Sequence, residues 1–174
     1  MRGGVGLAAA LAVSLAGGPG LAATDKAPAL PTGWRLPSTA EAAALGRAAD
    51  KALGQPAHQM LAVRADFDGD GRTDRAAFLL KGNRFALFVA RASVGRWTWL
   101  DDGETRDRLA VYTLAVIPPG AFEPTCMGGL GEPGEPCRGR FRTRRPAITL
   151  TVQESAEIIY WWDGRRFDKD WLSD

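Results

Sequence analysis

The spacing of apolar residues changes near residue 55 of the chain. Between residues 39 and 53, alanine and leucine side chains recur at helical intervals. Ser38 precedes this stretch and Glu41 follows three residues later, which is typical of a capping box, where each side chain accepts the backbone N–H of the other residue. Gly54 suits the left-handed residue that ends many helices, and Pro56 cannot continue one. The pattern therefore predicts one helix over residues 39–53.

Beyond residue 58 the apolar residues alternate with polar ones, with the period of two that is typical of β-strands. The predicted strands are residues 59–66, 75–81, 84–92, 96–100, 109–117, 147–153 and 156–162, followed by a turn into residues 165–168. Gly82 and Asn83 are expected to form a two-residue hairpin turn. Short connections between successive strands favour antiparallel pairing. We therefore expect the α+β class, with one N-terminal helix packed on a curved, mostly antiparallel β-meander.

The domain boundaries follow from the same pattern. Residues 24–37 contain three prolines and no periodicity, which indicates an extended lead-in whose Trp34 packs against the core. Residues 38–174 form the single predicted α+β domain. No internal repeat is visible in the sequence, so the chain does not encode a complete propeller.

Composition and the first residues suggest where the protein is found. The chain has 174 residues, of which 45% are apolar and 24% charged, so it is not wholly disordered. A net charge of +2 gives little support to nucleic-acid binding. Residues 1–23 contain an early arginine, a 12-residue apolar run and then small residues, the pattern of a secretory signal peptide. The run is short for the alternative, a membrane anchor. We expect an exported protein, periplasmic or secreted, with no membrane span in the mature chain.

The two cysteines fit an oxidising compartment. Cys126 and Cys137 flank a segment rich in glycine and proline, which predicts a loop. Two cysteines in an exported protein are most simply explained as one disulfide. The alternative is a redox or catalytic thiol, but no Cys-x-x-Cys motif is present and His58 is the only histidine that could act as its base.

An aspartate-rich segment follows the first predicted strand. Counting from its first residue, carboxylates stand at positions 1, 3, 5 and 9, and glycine stands at position 6. Calcium takes about six to eight oxygen ligands, and aspartates two residues apart in a tight loop can converge on one ion. The predicted ligands are Asp66, Asp68, Asp70, the carbonyl oxygen of Arg72, and Asp74. We therefore predict a structural calcium ion in loop 66–74. Two alternatives stay open: a metal-free turn in which aspartates bond backbone N–H groups, and a catalytic carboxylate cluster.

The aspartate segment also resembles a known family. An EF-hand is excluded because position 12 is Ala77 instead of glutamate and the flanking segments are predicted strands. The pattern D-x-D-G-D-G-x-x-D between two strands resembles the calcium loops of FG-GAP and VCBS repeats over residues 64–81. That resemblance implies calcium binding by the same five residues. The ending at residues 160–167 is similar to the "Y-x-W-D-G-x-x-F" hairpin of small bacterial exported proteins that carry one such loop, which implies export and assigns no activity.

A row of arginines is the remaining candidate for binding. Alternate positions carry Arg138, Arg140, Arg142 and Arg144, which would share one face of a strand. Such a face could bind phosphate, a lipid headgroup or an acidic partner, and the alternative is a solvated edge strand protected from aggregation by its charge. We therefore expect an exported, non-enzymatic binding module whose partner is an unknown protein or envelope component. The alternatives are a periplasmic inhibitor or immunity-like protein, which would use the cysteine loop and the arginine row, and a carboxylate-based hydrolase.

Overall fold

The computed structural model describes residues 28–54, 56, 59–125 and 139–173. The predicted signal segment at residues 1–23 lies outside these residues. So do Cys126 and Cys137, whose disulfide stays a prediction, and His58 and Arg138. Within the described part of the chain, no helix is both long enough and apolar enough to span a membrane.

The predicted helix forms at its predicted position. Helix α1 covers Thr39–Leu53, and both bonds of the capping box are present. The Ser38 hydroxyl accepts the Glu41 N–H at 3.2 Å, while the Glu41 carboxylate accepts the Ser38 N–H at 2.8 Å. Gly54 ends the helix with a φ of 68°, in the left-handed region. Glu41 also binds Arg35 of the lead-in and Arg106, so the N-terminus of the helix is tied to two other segments.

Within the described residues, ten strands form two four-stranded antiparallel sheets and one short hairpin. The strands are β1 (Ala62–Ala65), β2 (Asp74–Lys81), β3 (Arg84–Arg91), β4 (Arg96–Thr105), β5 (Tyr112–Ile117), β6 (Ala121–Phe122), β7 (Phe141–Arg142), β8 (Ala147–Val152), β9 (Ala156–Trp162) and β10 (Phe167–Ser173). The first sheet has the order β1-β2-β3-β4 and the second the order β10-β9-β8-β5, while β6 pairs with β7. The class is thus roughly α+β with β-structure dominant.

The main core lies between the two large sheets. Phe78 and Leu87 of the first sheet and Ile148 and Tyr160 of the second belong to one buried cluster, each at most 1% exposed. The opposite face of the first sheet is covered by the lead-in, as expected: the Trp34 ring lies 5.0 Å from that of Phe88, centroid to centroid. Both faces of β2 and β3 are therefore buried, which explains their nearly continuous apolar sequences.

The single meander predicted from the sequence is wrong. Successive strands do pair within β1–β4 and within β8–β10, but β5 pairs with β8 across the β6–β7 hairpin. The first part of the predicted strand 109–117 is instead a 3₁₀ helix, Arg106–Val111. This turn buries Leu109 completely and allows Arg106 to reach Glu41, so contacts with the helix override the local β-pattern.

Candidate metal centre

The aspartate-rich loop, residues 66–73, connects β1 to β2 in the first sheet. The two strands pair in register up to Ala65 and Asp74, so the ends of the loop are held side by side. Phe67 is 0% exposed and belongs to the main core. This buried ring fixes the first turn of the loop, and the aspartates on either side of it are held in place as a result.

The Asp66 carboxylate organises the outer turn of the loop. It accepts the backbone N–H groups of Gly69 at 2.7 Å, Asp70 at 3.1 Å and Gly71 at 2.9 Å. Gly69 and Gly71 have φ values of 76° and 83°, a region that residues with a side chain rarely adopt. The glycines therefore permit the tight bend, and the aspartate satisfies the backbone donors that the bend exposes.

Asp74 holds the inner side of the loop and is 1% exposed. Its Oδ2 accepts the N–H groups of Phe67 at 3.0 Å and Asp68 at 3.3 Å, and its Oδ1 accepts the Ala92 N–H at 2.8 Å. Burial raises the pKa of this carboxyl above its ordinary value, and the nearby Asp68 charge raises it further, although the three N–H donors act in the opposite direction. Asp74 therefore connects the β1–β2 loop to the turn between β3 and β4.

Asp68 makes a second connection to the β3–β4 turn. It is 8% exposed, and its Oδ2 accepts the Ser93 hydroxyl at 3.2 Å and lies 3.6 Å from Nη1 of Arg91. Its Oδ1 accepts the Asp70 N–H at 3.2 Å. The Arg91 guanidinium in turn lies 4.4 Å from the ring centroid of Trp162, on the second sheet. The loop charge is thus partly neutralised by a cation that also contacts the other sheet.

Three of the predicted ligands converge. Asp66, Asp68 and Asp74 each have a carboxylate oxygen within 4.8 Å of the other two, so together they could hold a metal ion. Asp70 is not part of this group: it is exposed, and its Oδ1 accepts the Arg72 N–H at 2.7 Å. The structure thus brings together the first, second and last predicted carboxylates. The Asp70 carboxylate is instead directed toward the backbone N–H of Arg72.

The sequence did not indicate the residues that complete the site. Ala92, Ser93 and Arg91 come from the distant β3–β4 turn, and no local pattern connects them to the aspartates. Arg145 packs against the outside of the loop, where a Cβ added at Gly69 would lie 2.1 Å from its Nε. Only the sheet topology, which brings these elements together, would have revealed these neighbours.

Within the described residues, the strand expected to carry the arginine row is shorter than predicted, and partner binding by the row stays a prediction. The only strand in this segment is β7, Phe141–Arg142, and Arg144 lies in a bend that precedes β8. Arg140 pairs with Glu123 at 2.8 Å, with both side chains more than 70% exposed. The bend forms because the chain must leave the β6–β7 hairpin and enter β8 after Pro146, so a continuous strand with alternating arginines does not develop.

The comparisons with known proteins give no relatives. No family model, no curated protein and no solved structure matches the chain. The interpretation of the site therefore rests on its own geometry and chemistry.

Proposed function

We propose that this protein is an exported, non-enzymatic binding module whose loop 66–74 holds a structural calcium ion. The observation that carries the proposal is the convergence of the Asp66, Asp68 and Asp74 carboxylates within 4.8 Å of one another. The strand–loop–strand setting supports the resemblance to FG-GAP and VCBS calcium loops. The signal-type sequence of residues 1–23 supports export.

The donor set favours a hard cation. All three converging groups are carboxylates, and oxygen-only sites suit calcium, magnesium and manganese better than softer metals. Calcium fits best among these because it tolerates irregular geometry, whereas magnesium demands a near-ideal octahedron. An ion at this position would also relieve the repulsion that contributes to the raised pKa of Asp74.

The hydrogen bonds of the loop indicate weak binding. A carboxylate has about four lone-pair sites. Asp66 and Asp74 each already use three of them on backbone N–H groups. Few lone pairs remain for an ion, and the bidentate glutamate of an EF-hand is missing. We expect a Kd on the order of 10⁻⁴–10⁻³ M, similar to extracellular calcium modules.

The same bonds favour a structural role over a catalytic one. The buried carboxylate with a raised pKa, Asp74, is directed at three backbone donors. A general acid must instead reach the proton of a bound substrate. The ion would therefore fasten the β1–β2 loop to the β3–β4 turn and stabilise the edge of the first sheet.

Thermal unfolding in calcium and in chelator tests the proposal. At calcium concentrations about tenfold above Kd, ligand linkage adds roughly 1.4 kcal/mol, which corresponds to an increase of about 3–6 °C in Tm for a domain of this size. Asp66→Asn should abolish this shift because it removes a converging carboxylate. Asp70→Asn is the matched control and should retain the shift, because Asp70 lies outside the converging group.

Two results would count against the proposal. Equal melting temperatures of the unmodified protein in calcium and in chelator would leave the metal-free turn as the explanation of the loop. A shift of equal size in Asp66→Asn would place the calcium elsewhere on the chain.

A further inference from the structure

A cleft of ≈ 630 Å³ separates the end strands of the two large sheets. β4 is the last strand of the first sheet and β10 the last strand of the second, and within the described residues no strand pairing joins them. The two strands are connected through side chains, because the Asp101 carboxylate contacts both the Tyr160 hydroxyl and, at 3.7 Å, Lys169 Nζ. The sheets are therefore held together at this point and leave an open cleft beside it.

The walls of this cleft carry charge where a core would carry apolar groups. In the β3–β4 register, the buried core residue Val89 pairs with Thr98, and Arg91 pairs with Arg96. Side chains two apart on a strand share a face, so all of these residues point to the core side of the sheet. Lys169 of β10 pairs with the buried Tyr160 on the corresponding face of the second sheet. Polar residues at core-facing positions indicate either a solvated edge or a functional surface.

The cleft has an excess of positive charge. Five cationic side chains line it, and only two acidic ones do: Arg91, Arg96, Arg165, Arg166 and Lys169 against Asp168 and Asp170. Three of the cations already have acidic partners, at 3.6 Å for Arg91, 4.0 Å for Arg166 and 3.7 Å for Lys169. In the described part of the chain, Arg96 and Arg165 form no ion pair, and both are exposed. The cleft is therefore complementary to a ligand that brings negative charge.

One backbone edge beside the cleft is available for pairing. The edge of β10 is partly used, because the Trp171 carbonyl accepts the Thr125 N–H at 2.9 Å and the Lys169 N–H bonds the Asp168 carboxylate. Along residues 96–99, β4 pairs with β3 in regular register on one side, and no described residue bonds its backbone on the other. These four residues offer about 13 Å of regular free edge before the bulge at Leu100. An open edge is a template for an added strand.

We propose that β4 receives an extended acidic peptide segment of a partner protein as an added strand, with acidic side chains directed into the cleft. There they would meet Arg96 and Arg165, the two exposed cations of the cleft that form no ion pair within the described residues. The proposal deepens the proposed binding role, on which it rests, by naming the surface and the partner chemistry. It does not require the calcium ion.

The aromatic residues of the cleft favour a peptide over a sugar. Sugar recognition would need an uncovered ring face for stacking. The Trp162 ring is already covered by Arg91 and packs against Phe167, with 5.3 Å between the ring centroids. Trp99 is 44% exposed, but its ring packs against Trp34, on the opposite face of the first sheet. Trp171, which also lines the cleft, is partly buried and packs against the main core. Charge and a backbone edge are therefore the main features that the cleft offers to a ligand.

Peptide binding tests the proposal directly. The probe is a fluorescein-labelled octapeptide of alternating glutamate and threonine, measured by fluorescence anisotropy against the full mature protein, with a lysine–threonine peptide as the charge control. We expect the glutamate peptide to bind and the lysine peptide not to bind. The double variant Arg96→Glu/Arg165→Glu should weaken binding at least tenfold. Arg47→Glu, an exposed change on α1, is the matched control and should leave binding within twofold.

Hydrogen exchange identifies the surface that the peptide uses. Bound peptide should slow exchange of the free-edge amides of residues 96–99, and an equal concentration of free glutamate should not. If the double variant does not fold, the single variant Arg165→Glu replaces it, because it changes only a turn residue. The loss of peptide affinity should then be smaller.

The proposal fails if the peptide does not bind at about 1 mM, or if the double variant binds it as well as the unmodified protein does. It also fails if protection from hydrogen exchange appears only outside β4. The acidic polysaccharide polygalacturonate is the sugar probe, and the proposal fails if it binds and the peptide does not. All measurements are made both in calcium and in chelator. A calcium-dependent Tm shift without peptide binding would leave the calcium site standing and overturn only the strand addition.

Discussion

Asp74→Asn offers the sharpest test of how the loop is built, because asparagine keeps the shape of the side chain and removes its charge. The two Asp74 oxygens accept three backbone N–H groups, two on Oδ2 and one on Oδ1. An asparagine side chain has one oxygen and one NH₂ group, and the NH₂ group cannot accept a hydrogen bond. If the amide oxygen faces Phe67 and Asp68, the N–H of Ala92 is left without an acceptor.

The expected loss of stability follows from the number of N–H groups that lose their acceptor. Leaving one buried donor unsatisfied costs about 1–3 kcal/mol. Removing a buried charge recovers part of this cost, since burial is the main cause of the raised Asp74 pKa. We expect a net destabilisation of about 2 kcal/mol at pH 7 in chelator, or a decrease of about 4–8 °C in Tm. Asp70→Asn, at an exposed side chain, should stay within about 0.5 kcal/mol.

The stability difference between Asp74→Asn and the unmodified protein should change with pH in a direction that the raised pKa defines. A carboxyl whose pKa is raised in the folded state contributes stability that is fully present below its unfolded pKa and is lost as pH rises through the folded pKa. Asparagine does not titrate. The stability deficit of Asp74→Asn should therefore grow as pH falls from 7 toward 3.8, the ordinary value for aspartate.

Urea unfolding of both variants in chelator, repeated at several pH values, measures these quantities. An Asp74→Asn protein as stable as the unmodified one at pH 7 would refute the hydrogen-bond account of the loop. A stability deficit of Asp74→Asn that shrinks toward low pH would refute the claim that burial raises the pKa of Asp74.

Two further substitutions test the fold around the site. Arg35 holds the pKa of Glu41 well below its ordinary 4.5, so the stability that Glu41 confers is present above pH 4.5 and is lost as pH falls below it. The destabilisation caused by Glu41→Gln in urea unfolding should therefore be largest near neutral pH and decline in acid. A Cβ at Gly103 would lie 2.4 Å from the Phe85 carbonyl oxygen, so Gly103→Ala should cost about 1–3 kcal/mol in the same assay. Gly46→Ala, which meets nothing within 4 Å, is its control.

Local signals in the sequence were sufficient for several elements. The capping box and Gly54 fixed both ends of α1, because each signal acts within three residues of the helix end. The turn at Gly82 and Asn83 joins β2 and β3 as predicted. The alternating aspartates and Gly71 indicated the loop, because the hydrogen bonds of its outer turn form within five residues along the chain.

The features that the sequence did not predict depend on distant contacts. The β5–β8 pairing joins residues that are 30 to 40 positions apart, from Ile117 with Ala147 at one end of the ladder to Tyr112 with Val152 at the other. Hydrophobic alternation gives no information on which strand a segment pairs with. The 3₁₀ helix forms because its residues pack beside α1. Arg91, which lies 3.6 Å from Asp68, and Arg145, which packs against Gly69, likewise reach the loop through the topology and not through a motif.

The central claim is that the loop binds one calcium ion through three carboxylates. Equilibrium dialysis of the protein against radioactive calcium tests it most directly. We predict uptake of one ion per chain with a Kd on the order of 10⁻⁴–10⁻³ M. The same measurement on Asp66→Asn should show that uptake lost. No uptake by the unmodified protein at about 10 mM calcium, or equal uptake by both proteins, would contradict the claim.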